Sequence, residues 1–362
     1  MQTTRSTENE GGIDTSLATM PMVHGTLPRW VPWAVFAGVA TVAGAVFAAI
    51  GFNIALFAVG VVVLSAVVLY GWSRAVEGAR RALDRVVTIV VTSAFLIAVI
   101  PLVSVLLTTV SRGLEALDVE LLTFSMRGVV GAGGGIYHAI VGTLVVTAVT
   151  AIMAVPVGVL AGIYLVEYGG RGRLATALTF FVDVMVGIPS IVAGLFTVAM
   201  FTIFLGSGVR LGIMGAVALF VLMVPIVVRS TEEMLKIVPD DLREASYALG
   251  VPKWRTVAKV VLPTALAGIA AGVTLAVARV IGETAPLLIT LGITSSTNFN
   301  PFDGRMATLP VFAYEEYKNP GVPNDPYLDR AWAAALVLII IVMVLNLVAR
   351  LISKKFSPKI RG

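Results

Sequence analysis

Arg279 and Glu283 stand four residues apart in an otherwise apolar run, and Thr284 and Pro286 follow directly. On a continuous helix that spacing puts both charges on one face. A guanidinium can give two parallel hydrogen bonds to a tetrahedral oxyanion. A carboxylate beside it can hold that fork in place or take a proton from a protonated oxyanion. Ionisable groups in a membrane span are costly unless paired or wetted, which makes them functional candidates by default. A structural ion pair against a neighbouring subunit fits the same two residues. Earlier in the chain, Gly187-Ile188-Pro189 precedes Ser190. Proline removes a helical hydrogen bond and frees a carbonyl, so a broken helix with the Ser190 hydroxyl beside it could line a polar path. A plain proline kink fits equally. Asp183 reads as a solvated residue at a helix end rather than a substrate contact.

A second cluster is polar and lies between two apolar runs. Ser230 to Val238 extends one span as a helix that Pro239 stops. Asp240 and Asp241 offer side-chain caps for a new helix, and Asp241 with Glu244 has capping-box spacing. That helix stops at Gly250, because glycine tolerates left-handed backbone. Val251-Pro252 turns the chain, and Lys253 to Val261 is a basic amphipathic segment that enters the next span at Leu262-Pro263. The product is a short helix tied to two spans and able to pass a push from a soluble partner into both.

The elements that must carry these clusters follow from composition. Of 362 residues, 58% are hydrophobic and 13% charged, with a mean hydropathy of +0.95. A polytopic helical membrane protein is the class that fits, and the alternating strands of an outer-membrane barrel are absent. With no cysteine and two histidines, His24 and His138, thiolate and histidine-based metal sites are excluded. A bilayer core needs about 20 apolar helical residues. Eight runs qualify: Val31–Ile50, Ile54–Trp72, Val86–Val110, Ala139–Val166, Leu174–Leu205, Leu211–Val228, Ala265–Leu291 and Ala331–Leu351. The fifth is long enough for its start to lie along the interface. The first is too long for a signal-peptide core and returns through Gly51-Phe52-Asn53, so it reads as a retained hairpin.

With the N-terminus inside, 19 of the 26 lysines and arginines fall on the cytoplasmic side and six outside, Arg279 being in a span. Both termini and the Glu244 loop are then cytoplasmic. The net charge of +5 belongs to these flanking loops and not to nucleic-acid binding. Gly131-Ala132-Gly133-Gly134-Gly135 reads as a flexible external linker. No phosphate-binding loop is present, nor any nucleophile–base set, so the chain reads as no enzyme, with no cofactor and no metal.

The polar loop resembles the EAA loop of ABC importer permeases. It matches at Glu244, Ala245, Gly250, Leu262 and Pro263, with Ser246 for the second alanine and Val260 for an isoleucine. Further strings are similar to the PstA family of phosphate-specific permeases: Arg279 to Leu288, Gly187 to Phe196, Thr231-Glu232-Glu233-Met234, Ala307 to Val311 and Leu345 to Arg350. The resemblance covers about residues 86–355. It implies an all-α type I importer permease with a six-span core, in the plasma membrane of a bacterium. It also implies a homologous PstC-type permease, two copies of a PstB-type ATP-binding subunit that hydrolyse the ATP, and an external PstS-type phosphate-binding protein. The substrate path would include Arg279, Glu283, Thr284 and Ser190. ATPase coupling would fall to Glu244, Ala245, Ser246, Gly250, Leu262 and Pro263. The chain then divides into a polar tail 1–29, an extra hairpin 30–73, a core 86–352 holding the loop 239–263, and a basic tail 353–362. The hairpin lies outside the usual core. An ABC permease for molybdate or sulfate is the nearest rival, and an ATP-independent channel or carrier leaves Glu244–Pro263 unexplained.

Overall fold

A computed structural model describes residues 25–51, 53–170 and 172–356. Most of the expected polar tail, residues 1–24, and the end of the basic tail, residues 357–362, lie outside the described residues. Every regular element among the described residues is helical. The chain forms two compact units that divide between Val105 and Leu106.

The first unit holds α1 (Val31–Ile50), α2 (Ile54–Val76) and the start of α3 (Ala79–Glu115). Pro32 opens α1, where its missing N–H costs nothing. Val31, Val35 and Leu69 are buried between the helices. At the turn into α3, Glu77 is buried and accepts hydrogen bonds from the Leu27 amide (2.7 Å), the Ser73 hydroxyl (2.7 Å) and both arms of the Arg85 fork (2.7 and 2.8 Å).

The second unit continues from the end of α3 through α4 (Val119–Thr123) to α5 (Tyr137–Ile163), which a π turn prolongs to Tyr168. Next come α6 (Arg173–Gly187), α7 (Ser190–Leu205), α8 (Gly212–Ile237), α9 (Asp240–Ala248) and α10 (Lys253–Thr256). A second π turn, Val257–Val261, joins α10 to α11 (Leu262–Val280). The chain ends with α12 (Ala285–Thr290), α13 (Leu309–Lys318) and α14 (Asp325–Phe356).

The core of this unit is the contact of α5 with α8. A Cβ on Gly158 would stand 2.7 Å from Val227 Cβ, and one on Gly162 would stand 2.7 Å from Thr231 Cβ. Glycine on α5 therefore receives β-branched bulk from α8, the close approach that helix pairs in membranes favour. Because Gly158 faces Val227 and Gly162 faces Thr231, α5 and α8 run parallel. The chain between them must then recross once. It does so through α6 and α7, which are bent by 110° at Ile188-Pro189. Among the described residues seven single helices are long and apolar enough to span, and this bent pair, taken as one span, makes eight.

One open reading is decided here and one expectation is corrected. Of the two readings of Pro189, a broken helix and a plain kink, the structure has the break, because Pro189 removes a backbone donor at the bend. The glycine run 131–135 is not a free linker. Arg330 donates to the carbonyls of Gly131 (2.7 Å) and Gly133 (3.1 Å) and to Glu316 (2.8 Å), while Tyr327 Oη accepts from the Gly131 amide at 3.2 Å. Its glycines serve positive φ angles at 131, 133 and 134.

Candidate functional site

Arg279 occupies the last turn of α11, is exposed, and makes no ion pair or side-chain hydrogen bond among the described residues. The helix stops at Val280. Residues 281–284 are non-helical, and Pro286 then opens α12. The expected helical face shared by Arg279 and Glu283 therefore does not exist, because Glu283 lies in the break, its amide donating to Val280 O at 3.1 Å. Gly282 weakens the helix there, and Pro286 suits the first turn of a new one. No Arg279–Glu283 ion pair forms. Thr284 is half-buried and turns its hydroxyl back on the Gly282 carbonyl at 3.5 Å.

Ser190 is the first residue of α7, immediately beyond the other break. The two broken regions meet through the helices that follow them. A Cβ on Gly194 of α7 would stand 2.8 Å from Pro286 Cα and 2.7 Å from Ile289 Cδ1 of α12. No hydrogen bond joins Ser190 to Arg279, Glu283 or Thr284. Asp183 of α6 is ion-paired with Arg229 of α8, which also holds Glu232 at 2.7 Å. The pair ties α6 to α8, and Asp183 itself remains exposed.

At the other end of the unit, α9 starts two residues earlier than a capping box at Asp241 would allow. Pro239 takes the N-cap position, and no side chain caps the helix. The fixed φ of proline suits a helix start, and Asp240 and Asp241 instead sit in the first turn, where a carboxylate complements the helix dipole. The far end closes as expected. Gly250 has φ +76°, its amide donates to Tyr247 O at 2.9 Å, and the Val251 amide donates to Ser246 O at 3.2 Å. These two bonds make a Schellman closure. Glu244, Ala245, Tyr247 and Leu249 face outward, Leu249 being 83% exposed. Leu262 is half-buried and Pro263 exposed. Pro263 lacks the N–H that would meet the Lys259 carbonyl, and the helix is locally widened to π geometry just before it.

Three contacts close a ring around α9. Arg243 donates to Glu167 in the first π turn (2.9 and 3.1 Å), to the carbonyls of Leu235 (2.9 Å) and Val238 (2.6 Å), and to Asp240 (3.1 Å). Its side chain is 13% exposed and that of Glu167 4%. Ser246 and Thr256, both buried, share a hydroxyl bond of 2.8 Å between α9 and α10. Lys253 lies 5.2 Å from the centroid of the Tyr168 ring, linking α10 back to the π turn. Removing one partner of a buried ion pair costs about 3–5 kcal/mol, so the Arg243–Glu167 contact is the strongest of the three.

The sequence matches the family of binding-protein-dependent transport system inner membrane components over residues 154–362. It is 47% identical over 276 residues to the phosphate transport system permease protein PstA 1 of Mycobacterium tuberculosis (strain ATCC 25618 / H37Rv), covering 75% of this chain and 88% of that protein. The PstA of Mycobacterium leprae (strain TN) is 48% identical over 277 residues, covering 76% and 90%. That of Yersinia pestis is 37% identical over 277 residues, covering 76% and 92%. The chain belongs to the PstA family. The PstA-family fold is also that of a solved bacterial alginate ABC transporter in complex with an alginate-bound periplasmic protein. The TM-score is 0.55 at 13% identity, over 78% of this chain and 98% of that one. A second alginate importer structure gives 0.51 at 14% identity, covering 77% and 100%. These likenesses carry the type I importer fold and nothing finer.

Among the residues around α9, sequence reasoning missed Glu167, Tyr168, Arg243, Lys253 and Thr256. Arg243 and Lys253 count only as two cations among many in a basic loop. The available signal was Glu167, a lone carboxylate at the end of an apolar run, where a charge needs a partner.

Proposed function

We propose that this permease carries inorganic phosphate inward across a bacterial plasma membrane, as half of a translocation path whose ATPase is a separate chain. The supporting observation is one uninterrupted helical run, Lys253–Val280, of 28 residues. At 1.5 Å per residue it is about 42 Å long. One end is bound to the α9 loop, and the other carries Arg279 at a break in the helix. Motion imposed on α9 therefore has a direct mechanical route to an unpaired guanidinium.

In this reading Glu244, Ala245, Ser246 and Gly250 form the docking helix, with Leu262 and Pro263 at the re-entry. The outward Tyr247 and Leu249 face a PstB-type ATP-binding subunit in the cytoplasm. Arg279 meets the phosphate oxygens with its two-pronged fork. Glu283, Thr284 and Ser190 lie at the two breaks, where backbone polar groups freed from helical bonding are tolerated if they line a cavity. A PstC-type permease supplies the other half, and a PstS-type binding protein delivers phosphate from outside.

The test is radiolabelled phosphate uptake in cells lacking this chain, complemented with wild type or Arg279→Gln, with assembly checked by co-purification. Restoration by wild type alone, both complexes being assembled, supports the reading. Equal restoration by both removes Arg279 from the path, and no effect of the chain removes phosphate as the substrate.

A further inference from the structure

We infer that Arg243 and Glu167 are positioning residues for energy coupling, and that their contact delivers displacement of α9 to α5. This inference rests on the importer reading above and adds a route that the outward face of α9 does not contain. The helix α9 is joined covalently to α8 through Pro239 and to α10 through Gly250–Pro252. Its link to α5 is non-covalent, and Arg243 supplies it. The guanidinium spends two hydrogen bonds on Glu167 and two more on the Leu235 and Val238 carbonyls at the end of α8. One planar group thus fixes the hinge between α8 and α9 and attaches that hinge to the end of α5.

The geometry of the surroundings supports transmission over simple bracing. Glu167 sits in a π turn, and the segment that joins α10 to α11 is a π turn as well. Single π turns inside α-helices occur frequently at functional sites. The contacts Arg243–Glu167, Ser246–Thr256 and Lys253–Tyr168 join the π turn of α5, α9 and α10 pairwise into a closed ring. The ring moves as one body when α9 is pushed. Opening it at Arg243–Glu167 leaves α9 free to move with α11 while α5 lags.

The experiment uses the complete transporter in proteoliposomes, with Mg-ATP, the external binding protein and radiolabelled inorganic phosphate. Uptake and ATP hydrolysis are both measured per assembled complex, in wild type, Glu167→Gln and Arg243→Lys. Absence of ATP-driven uptake in wild type would defeat the importer reading itself. Given uptake in wild type, Glu167→Gln is expected to lower phosphate moved per ATP hydrolysed by about tenfold, within the range of coupling between sites. Arg243→Lys, which keeps the charge and loses the fork, should give an intermediate ratio. An unchanged ratio in Glu167→Gln overturns the inference, as does a loss of uptake that only follows the amount of complex assembled. If Glu167→Gln does not assemble, Arg243→Lys decides alone: a lowered ratio supports the route and an unchanged one overturns it.

Discussion

A Cβ added at Gly250 would touch nothing within 4 Å, yet the residue holds φ +76°. Within this chain the cost of adding a Cβ there is therefore a backbone cost. Left-handed geometry costs an L-residue about 1–2 kcal/mol, least for Asn and most for a β-branched side chain. Gly250→Asn, Gly250→Ala and Gly250→Val thus form a series graded in backbone cost. A penalty of about 1–2 kcal/mol shifts the balance between closed and unwound helix end by about 5- to 30-fold. The bonds at risk run from the amides of Gly250 and Val251 to the carbonyls of Tyr247 and Ser246. Hydrogen exchange at those two amides in the assembled transporter, together with ATP-driven phosphate uptake, reads both ends of the chain of cause. Protection and uptake should fall together in the order Gly, Asn, Ala, Val. If Asn and Val behave alike, the closing turn does not need left-handed backbone and the reasoning fails.

Glu77 is held down to about 2 from 4.5, chiefly by the Arg85 guanidinium and further by the Ser73 hydroxyl and the Leu27 amide. A lowered carboxylate contributes stability above its ordinary pKa and loses it as pH falls from about 4.5 through about 2. Protease resistance of the N-terminal hairpin should decline over that window in wild type and stay flat in Glu77→Gln; a parallel decline in both would count against the Glu77 cluster. Thr143 accepts the buried Leu309 amide at 2.8 Å, so Thr143→Val strands a donor at a cost of about 1–3 kcal/mol. Thermal unfolding in detergent should show that loss, with Thr143→Ser close to wild type.

The eight crossings were legible because apolar length is written directly in composition. The α9 loop was legible because Pro239, Gly250 and Pro252 are local punctuation, and Gly250 closes the helix where a left-handed residue was expected. Hydropathy could not see that two apolar runs are each broken. Ile188-Pro189 and Ile281–Thr284 are too short to lower the hydropathy of the runs that hold them, and the break is a property of backbone bonding. The supposed Arg279–Glu283 face failed for the same reason, since i,i+4 arithmetic assumes an unbroken helix. The cap at Asp241 failed because Pro239 competes for the start position. The ring around α9 joins residues as far apart as Glu167 and Arg243, and a charge in a basic loop carries no sign of which distant carboxylate it meets.

The seam between α5 and α8 has a consequence for how this sequence can change. Over its last two turns the hollow is on α5, at Gly158 and Gly162, and the bulk is on α8, at Val227 and Thr231. A single enlargement on α5 overfills the seam, and a single reduction on α8 leaves a void, so each first step is disfavoured and only paired, compensating exchanges are neutral. Reversing the arrangement would take four coordinated replacements. Divergence among descendants of this chain should therefore collect on its many exposed apolar faces, with the seam changing two positions at a time or not at all.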